Sequence, residues 1–181
     1  MKEESVSVKQ GKKALFYLIV QYQTDKIEAE RTIQMGNGNR GNTMIIKNGL
    51  VFTPEGKFEK KDFYIEGEYV AKETTDNKEV EAEGCYVIPG LVDIHFHGCV
   101  RHDMCDGTEE SIQALADYEA ANGVLAICPA TMTIPEEELF QAMNAAREHK
   151  NGKGADLVGI NMEGPFVNKE KKGAQKEEDI K

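Results

Sequence analysis

Two histidines separated by a single residue are the part of this sequence best suited to do chemistry. His95 and His97 follow a short apolar run, residues 91–94, with Pro89-Gly90 before it and Gly98 after it. Branched apolar residues between such breakers are typical of a buried strand. Because side chains alternate along a strand, both imidazoles should point the same way and reach one cation. An isolated His-x-His is more often a polar surface turn, so the surrounding elements decide the interpretation.

The segment after the histidines alternates between helix and strand patterns. Helices are predicted for residues 108–121, where Thr108 and nearby acidic residues suit an N-terminus, and from Pro135 to about residue 150. Residues 124–131 and 155–162 are apolar and predict two further strands. The order strand, helix, strand, helix, strand predicts a parallel α/β arrangement.

The run from Pro89 to Gly98 resembles the first barrel strand of the amidohydrolase superfamily, whose signature is Pro-Gly, an apolar strand with an aspartate, and His-x-His. The resemblance implies a (β/α)₈ barrel with metal ligands at the carboxyl ends of its strands. Glu163 follows the third predicted strand and would lie at the same rim as His95 and His97. Taken alone, a glutamate before Gly-Pro is more often a solvated turn residue, but the strand order favours a ligand. A carboxylate oxygen beside two nitrogens suits Zn²⁺ or Fe²⁺.

Further motifs are similar to those of the N-acetylglucosamine-6-phosphate deacetylases, and the similarity runs from residue 44 to the end. They are IHFHGC (residues 94–99), CPATMT (128–133), MEGPF (162–166) and KKGAQ (171–175). The resemblance implies that Glu163 is the principal metal ligand and that His95 and His97 serve a second metal ion. Some members lack these histidines, so one or two divalent ions per site are both open. Many relatives have histidine where Gln175 stands; the resemblance implies that Ala174 and Gln175 contact the sugar.

The activity that this resemblance implies is metal-dependent hydrolysis of the acetamide of N-acetylglucosamine 6-phosphate, which yields glucosamine 6-phosphate and acetate. The family's general acid/base is an aspartate on a late strand, expected beyond Lys181, so no catalytic acid/base is assigned here. A complete barrel needs about 250 residues, and this chain has 181. It is therefore expected to be an N-terminal fragment, inactive alone, of a protein that is a homodimer at full length. His102 and His149 match no family ligand, and His149 is expected at the surface.

Three regions are expected along the chain. Residues 1–43 are expected to be an extension outside the family, disordered or a misassigned start, because a Gly/Asn-rich stretch at 35–43 precedes Met44 and the composition changes there. Residues 44–89 carry short strand signals and predict a small antiparallel β domain, part of a sandwich. Residues 90–181 are expected to form the first three βα units of the barrel.

The composition limits the kinds of partner and the cellular compartment expected for this chain. The formal net charge of −10 argues against nucleic acid or an anionic membrane as the main partner. The resemblance implies a small-molecule substrate instead, a phosphorylated N-acetyl amino sugar. The longest apolar run, residues 14–20, is too short to cross a bilayer. Four cysteines without a Cys-x-x-Cys pair favour a reducing cytoplasm, and Cys99 and Cys105 are interpreted as ordinary thiols rather than ligands.

Two alternatives stay open. The chain could be another amidohydrolase acting on a cyclic amide or a nucleobase, which would share His-x-His but lack the Glu-Gly-Pro and Lys-Lys-Gly context. It could also be a non-catalytic stub that binds metal weakly or misfolds. The sequence context disfavours the first of these.

Overall fold

The computed structural model describes residues 17–23, 26–31, 43–66, 69–74 and 78–181, and only the backbone of the first two ranges. Its strands are β1 (Tyr17–Gln23), β2 (Lys26–Arg31), β3 (Met44–Phe52), β4 (Phe58–Glu66), β5 (Tyr69–Ala71), β6 (Glu79–Glu81), β7 (Cys85–Pro89), β8 (Leu91–Asp93), β9 (Gly98–Cys99), β10 (His102–Asp103), β11 (Val124–Ile127) and β12 (Asp156–Leu157). The helices are α1 (Glu109–Ala121) and α2 (Glu136–Glu148), with short 3₁₀ turns at Met104–Asp106, Lys169–Lys171 and Glu177–Asp179. The fold is mixed α/β.

The first layer is a seven-stranded sheet in the order β2-β1-β7-β3-β4-β5, with β6 paired to β3. The prediction of an antiparallel β domain is wrong in part, because β3 runs parallel to both β6 and β7. The path of the chain explains the difference. A hairpin joins β3 to β4, and the chain then returns to the opposite edge of β3, where β6 and β7 pair with it. A cluster of buried side chains on one face holds this sheet: Met44, Ile46, Val51, Phe63, Ile65, Ala82, Cys85 and Val87.

A bulge in β3 lets both of its halves face the same core. Its register against β4 shifts between Ile46 and Gly49, and Asn48 has a φ of 61°. Met44 and Ile46 are buried at even positions before the shift, whereas Val51 is buried at an odd position after it. One extra residue reverses the phase of the side-chain alternation, which is the expected effect of a bulge.

The second layer confirms the predicted parallel arrangement. Strands β8, β11 and β12 form a parallel sheet in the order β12-β11-β8, and α1 and α2 are the intervening helices. Thr108 caps α1 by accepting a hydrogen bond from the Ser111 backbone N–H. Gly90 precedes β8 at a point where a Cβ atom would overlap the Leu125 side chain, so a residue without a side chain is needed there. The core of this layer contains Met104, Ile112, Leu115, Ala116, Ala120, Ile127, Ala142 and Ala155.

Two strands of the seven-stranded sheet come from residues 1–43. β1 pairs antiparallel with β7, and β2 pairs with β1. Most of the Gly/Asn-rich stretch at 35–43 lies outside the described residues. The division of the chain at residue 43 therefore stays a prediction.

Among the described strands β8 pairs with β11 alone, and apolar side chains in β8 and directly after it are exposed to solvent. Leu91, Val92 and Ile94 are 48%, 51% and 67% exposed. No helix among the described residues is long and apolar enough to cross a membrane.

Candidate metal centre

Three of the residues singled out in the sequence meet at the carboxyl edge of the parallel sheet. Each of His95, His97 and Glu163 offers one ligand atom, and these atoms lie within 4.8 Å of one another. The Nε2 atoms of both histidines are 3.4 Å from Oε2 of Glu163. Two nitrogens and one carboxylate oxygen converging on a common point form a donor set suited to a divalent transition metal.

Parallel strand pairing brings the three side chains together. β8 ends at Asp93, immediately before the histidines, and β12 leads to Asn161, which forms an isolated parallel bridge with Ala130. Because β8, β11 and β12 run in the same direction, their carboxyl ends share one edge.

The segment that carries the histidines is fixed by main-chain bonds even though β8 has ended. The Ala130 N–H donates to the Phe96 carbonyl at 2.7 Å, and the Met104 N–H donates to the His97 carbonyl at 2.9 Å. Phe96 packs against the core of the second layer. The predicted division of faces, with Phe96 turned inward and both imidazoles turned toward one point, is therefore observed in an irregular continuation of the strand rather than in the strand itself.

Gln175 is buried beside Glu163, and both the oxygen and the nitrogen of its side-chain amide form hydrogen bonds. Its Oε1 accepts a hydrogen bond from the Thr133 N–H at 2.7 Å, and its Nε2 donates to Oε1 of Glu163. The residue is 5% exposed. This contact holds one carboxylate oxygen and leaves Oε2 facing the histidines. Ala174, its neighbour, is exposed. The sugar contacts implied for Ala174 and Gln175 stay a prediction.

Gly164 allows the Glu163 loop to approach the β11 side of the site. It has a φ of +74°, and a Cβ atom there would overlap the Thr133 side chain. A substitution at Gly164 would therefore displace either Thr133 or the loop that carries Glu163.

The cysteines near the rim lie outside the cluster, as interpreted from the sequence. Burial raises the pKa of the Cys105 thiol to about 11, and its sulfur accepts a hydrogen bond from the Met132 N–H. Burial and, secondarily, the nearby Glu119 raise the pKa of Cys99. Neutral thiols of this kind are poor ligands and poor nucleophiles.

The other two histidines do not join the site. His102 Nδ1 lies 3.0 Å from the Ser111 hydroxyl. The expectation that His149 lies at the surface is wrong: its side chain is 1% exposed, and its Nδ1 is 3.0 Å from Oε1 of Glu109. His149 is the C-cap residue of α2, and its ring lies beside Glu109, the first residue of α1, instead of in solvent.

Sequence reasoning missed Asn161. Its Nδ2 lies 3.0 Å from Nδ1 of His95 and 3.1 Å from the Ile94 carbonyl oxygen. The available signal was its position two residues before Glu163, which on an extended chain places both side chains on the same face.

Comparisons with known proteins agree with the resemblance found in the sequence motifs. No family model matches the chain. It is 32% identical over 143 residues to an N-acetylglucosamine-6-phosphate deacetylase of Bacillus subtilis (strain 168), covering 76% of this chain and 35% of that protein. It is 26% identical over 140 residues to the Lysinibacillus sphaericus enzyme of the same name, covering 74% and 36%. The crystal structure of the Pasteurella multocida N-acetylglucosamine-6-phosphate deacetylase aligns with a TM-score of 0.69 at 20% identity, covering 77% of this chain and 39% of that one.

The fold resembles that of solved N-acetylglucosamine-6-phosphate deacetylase structures. In sequence, the chain is a relative of the N-acetylglucosamine-6-phosphate deacetylases. It spans about a third of the length of the curated relatives that it matches.

Proposed function

We propose that this chain is part of a metal-dependent deacetylase that hydrolyses the acetamide of N-acetylglucosamine 6-phosphate to glucosamine 6-phosphate and acetate. The observation that carries the proposal is the convergence of His95, His97 and Glu163 at the carboxyl edge of the parallel sheet. The similarity to deacetylases of this name supports the choice of substrate. We further propose a cytoplasmic location and a homodimer for the full-length protein.

The same proposal extends to the fold. We place the second layer as the first three βα units of a (β/α)₈ barrel and the first layer as a portion of a small β-sandwich. The solvent-exposed apolar edge of β8, at Leu91, Val92 and Ile94, supports this placement, because parallel strands are ordinarily covered on their faces and paired at their edges.

In the proposed site, Glu163, His95 and His97 would hold one or two divalent ions, with Zn²⁺ or Fe²⁺ suited to the donor set. When bound, such an ion would lower the pKa of a water and polarise the acetamide carbonyl. The residues of this chain contribute position: Gln175 holds Oε1 of Glu163, so that Oε2 faces the two imidazoles. Since we assign the carboxylate of the cluster to the ion, the proton transfer to the leaving amine requires another residue. The resemblance implies that this residue is an aspartate on a later barrel strand, so we expect the 181-residue chain alone to be inactive.

Replacement of Glu163 by glutamine tests the metal site. We expect Glu163→Gln to lower bound zinc, measured by mass spectrometry of the protein after dialysis, because an amide is a much weaker ligand than a carboxylate. Glu148→Gln is a matched control, since Glu148 lies on the exposed face of α2 with its side chain 75% exposed. Equal zinc content in Glu163→Gln and the unaltered chain would remove Glu163 from the site.

The substrate is tested separately, by release of acetate from N-acetylglucosamine 6-phosphate and from unphosphorylated N-acetylglucosamine. We expect a longer protein that contains this sequence to hydrolyse the phosphorylated sugar and the 181-residue chain to hydrolyse neither. Activity of the 181-residue chain would show that it needs no further residues for catalysis. A longer protein that binds zinc but leaves both sugars intact would contradict the proposed substrate.

A further inference from the structure

The two imidazoles of the metal centre have different partners on Nδ1. His97 Nδ1 lies 3.3 Å from the Ala130 carbonyl oxygen, whereas His95 Nδ1 lies 3.0 Å from the amide nitrogen of Asn161. A carbonyl oxygen can only accept a hydrogen bond, so His97 Nδ1 must carry a proton. A neutral imidazole has one ring proton, and His97 Nε2 is therefore left with its lone pair.

The Asn161 amide has only one orientation that satisfies its neighbours. Its Nδ2 is also 3.1 Å from the Ile94 carbonyl oxygen, which requires a donor. An amide nitrogen donates and does not accept, so His95 Nδ1 must accept from it and the ring proton of His95 lies on Nε2. Main-chain bonds hold Asn161 in place: its N–H donates to the Pro129 carbonyl at 2.9 Å, and its carbonyl accepts from the Thr131 N–H at 3.0 Å.

We infer that His95 and His97 are held in opposite tautomers and that Asn161 is the positioning residue that sets the tautomer of His95. His97 Nε2 and Glu163 Oε2 then face each other at 3.4 Å as two acceptors, an arrangement that a cation would stabilise. His95 instead directs an N–H toward the same oxygen. His97 and Glu163 are thus prepared to bind an ion, whereas ligation through His95 Nε2 requires its proton to move and the Asn161 amide to turn.

This inference rests on the proposed metal site, but its first test needs no metal. The full 181-residue chain, labelled with ¹⁵N at histidine and kept in excess chelator, is examined by long-range ¹H–¹⁵N correlation at alkaline pH, where imidazole is neutral. Histidine-to-glutamine variants assign the resonances. We expect the Nε2–H pattern for His95 and the Nδ1–H pattern for His97. One tautomer shared by both rings, or the reverse assignment, would overturn the inference.

Variants of Asn161 test its role. Asn161→Asp offers an acceptor in place of the donor, so His95 should change to the Nδ1–H pattern while His97 stays unchanged. A ligating histidine that donates to a carboxylate binds metal more tightly, so we expect the Kd for Zn²⁺, from competition with a chromogenic chelator, to fall about tenfold. Asn161→Leu removes the donor without adding charge and should leave His95 with a mixture of tautomers.

Asn122→Asp is the matched control. Asn122 Nδ2 donates to the Tyr118 carbonyl at 2.8 Å, so this variant loses the same kind of bond and gains the same charge away from the histidines. It should alter neither tautomer. An Asn161→Asp chain whose His95 keeps its proton on Nε2 would show that Asn161 does not set the tautomer. If the Asn161 variants fail to fold, the tautomers of the unaltered chain still decide the first claim.

The proposed metal site and the inferred tautomers can be contradicted independently of each other. Opposite tautomers in a chain that binds no zinc would contradict the metal site and leave the inference intact. Zinc binding by a chain whose two histidines share one tautomer would contradict the inference and leave the metal site intact.

Discussion

Removal of the Gln175 side-chain amide should weaken both the fold and the metal site, and Gln175→Leu does so with little change in volume. The Thr133 N–H would lose its acceptor in a buried place, at a cost of about 1–3 kcal/mol. Glu163 would lose a donor, but its side chain is 36% exposed, so water replaces much of that bond. We expect the free energy of unfolding to fall by about 2 kcal/mol.

Loss of the Gln175 amide should lower zinc affinity further than the loss of folding stability alone would explain. Without Gln175, the Glu163 carboxylate can rotate away from the histidines, and loss of a group that orients a ligand typically lowers metal affinity about 10–100-fold. Urea unfolding without metal, followed by circular dichroism, measures the first effect, and chelator competition measures the second.

Gln113→Leu serves as the control for this experiment. Gln113 Nε2 donates to Asp117 at 2.9 Å and to the Lys153 carbonyl at 3.1 Å on the outer face of α1. Its loss should change stability by about 0.5 kcal/mol and leave zinc affinity unaltered. If Gln175→Leu loses stability but binds zinc as tightly as the unaltered chain, then Gln175 holds the loop and does not position the ligand.

The pKa shifts of two carboxylates predict opposite effects of pH on the free energy of unfolding. The Lys47 ammonium and the Asn48 N–H lower the pKa of Asp62 below 3.8, so its stabilising effect is complete above that value and is lost as the pH falls through the lower folded pKa. Urea midpoints of Asp62→Asn should therefore lie below those of the unaltered chain at pH 7 and approach them in acid; a constant difference would contradict this account. Burial, and secondarily Asp93, raises the pKa of Glu119 above 4.5, so stability falls as the pH rises from 4.5 through the folded pKa, and the loss is complete above it. Glu119→Gln should stabilise the chain at pH 7 and have no such effect below pH 4.5, and a stabilisation independent of pH would indicate a packing effect instead.

The order of elements could be predicted because each signal is local. Thr108 caps α1 where the sequence placed a helix start, and the apolar runs around Leu91, Leu125 and Leu157 all form parallel strands. The strand lengths could not be predicted. An apolar run continues through residues 128–131, but Pro129 lacks an N–H, and the regular strand ends at Ile127.

The cluster itself was predictable from the motifs, whereas the hydrogen bonds that hold it in place were not. Glu163 and the histidines have side chains whose chemistry identifies them. Asn161 and Gln175 act through hydrogen bonds to groups more than 40 residues away in sequence, at Ile94 and Thr133. Nothing in the local pattern specifies such partners, since an amide is equally common in solvated turns.

The residues proposed to bind the ion and the residues that position them should therefore respond differently to mutation. The side chains of His95, His97 and Glu163 are 35–48% exposed, so their removal leaves few buried groups without partners and should affect metal binding more than folding. Gln175 is buried and satisfies a main-chain N–H, so its removal should affect both. Variants that separate zinc affinity from unfolding free energy would thus distinguish the residues that bind the ion from those that position them, even where all of them reduce bound metal.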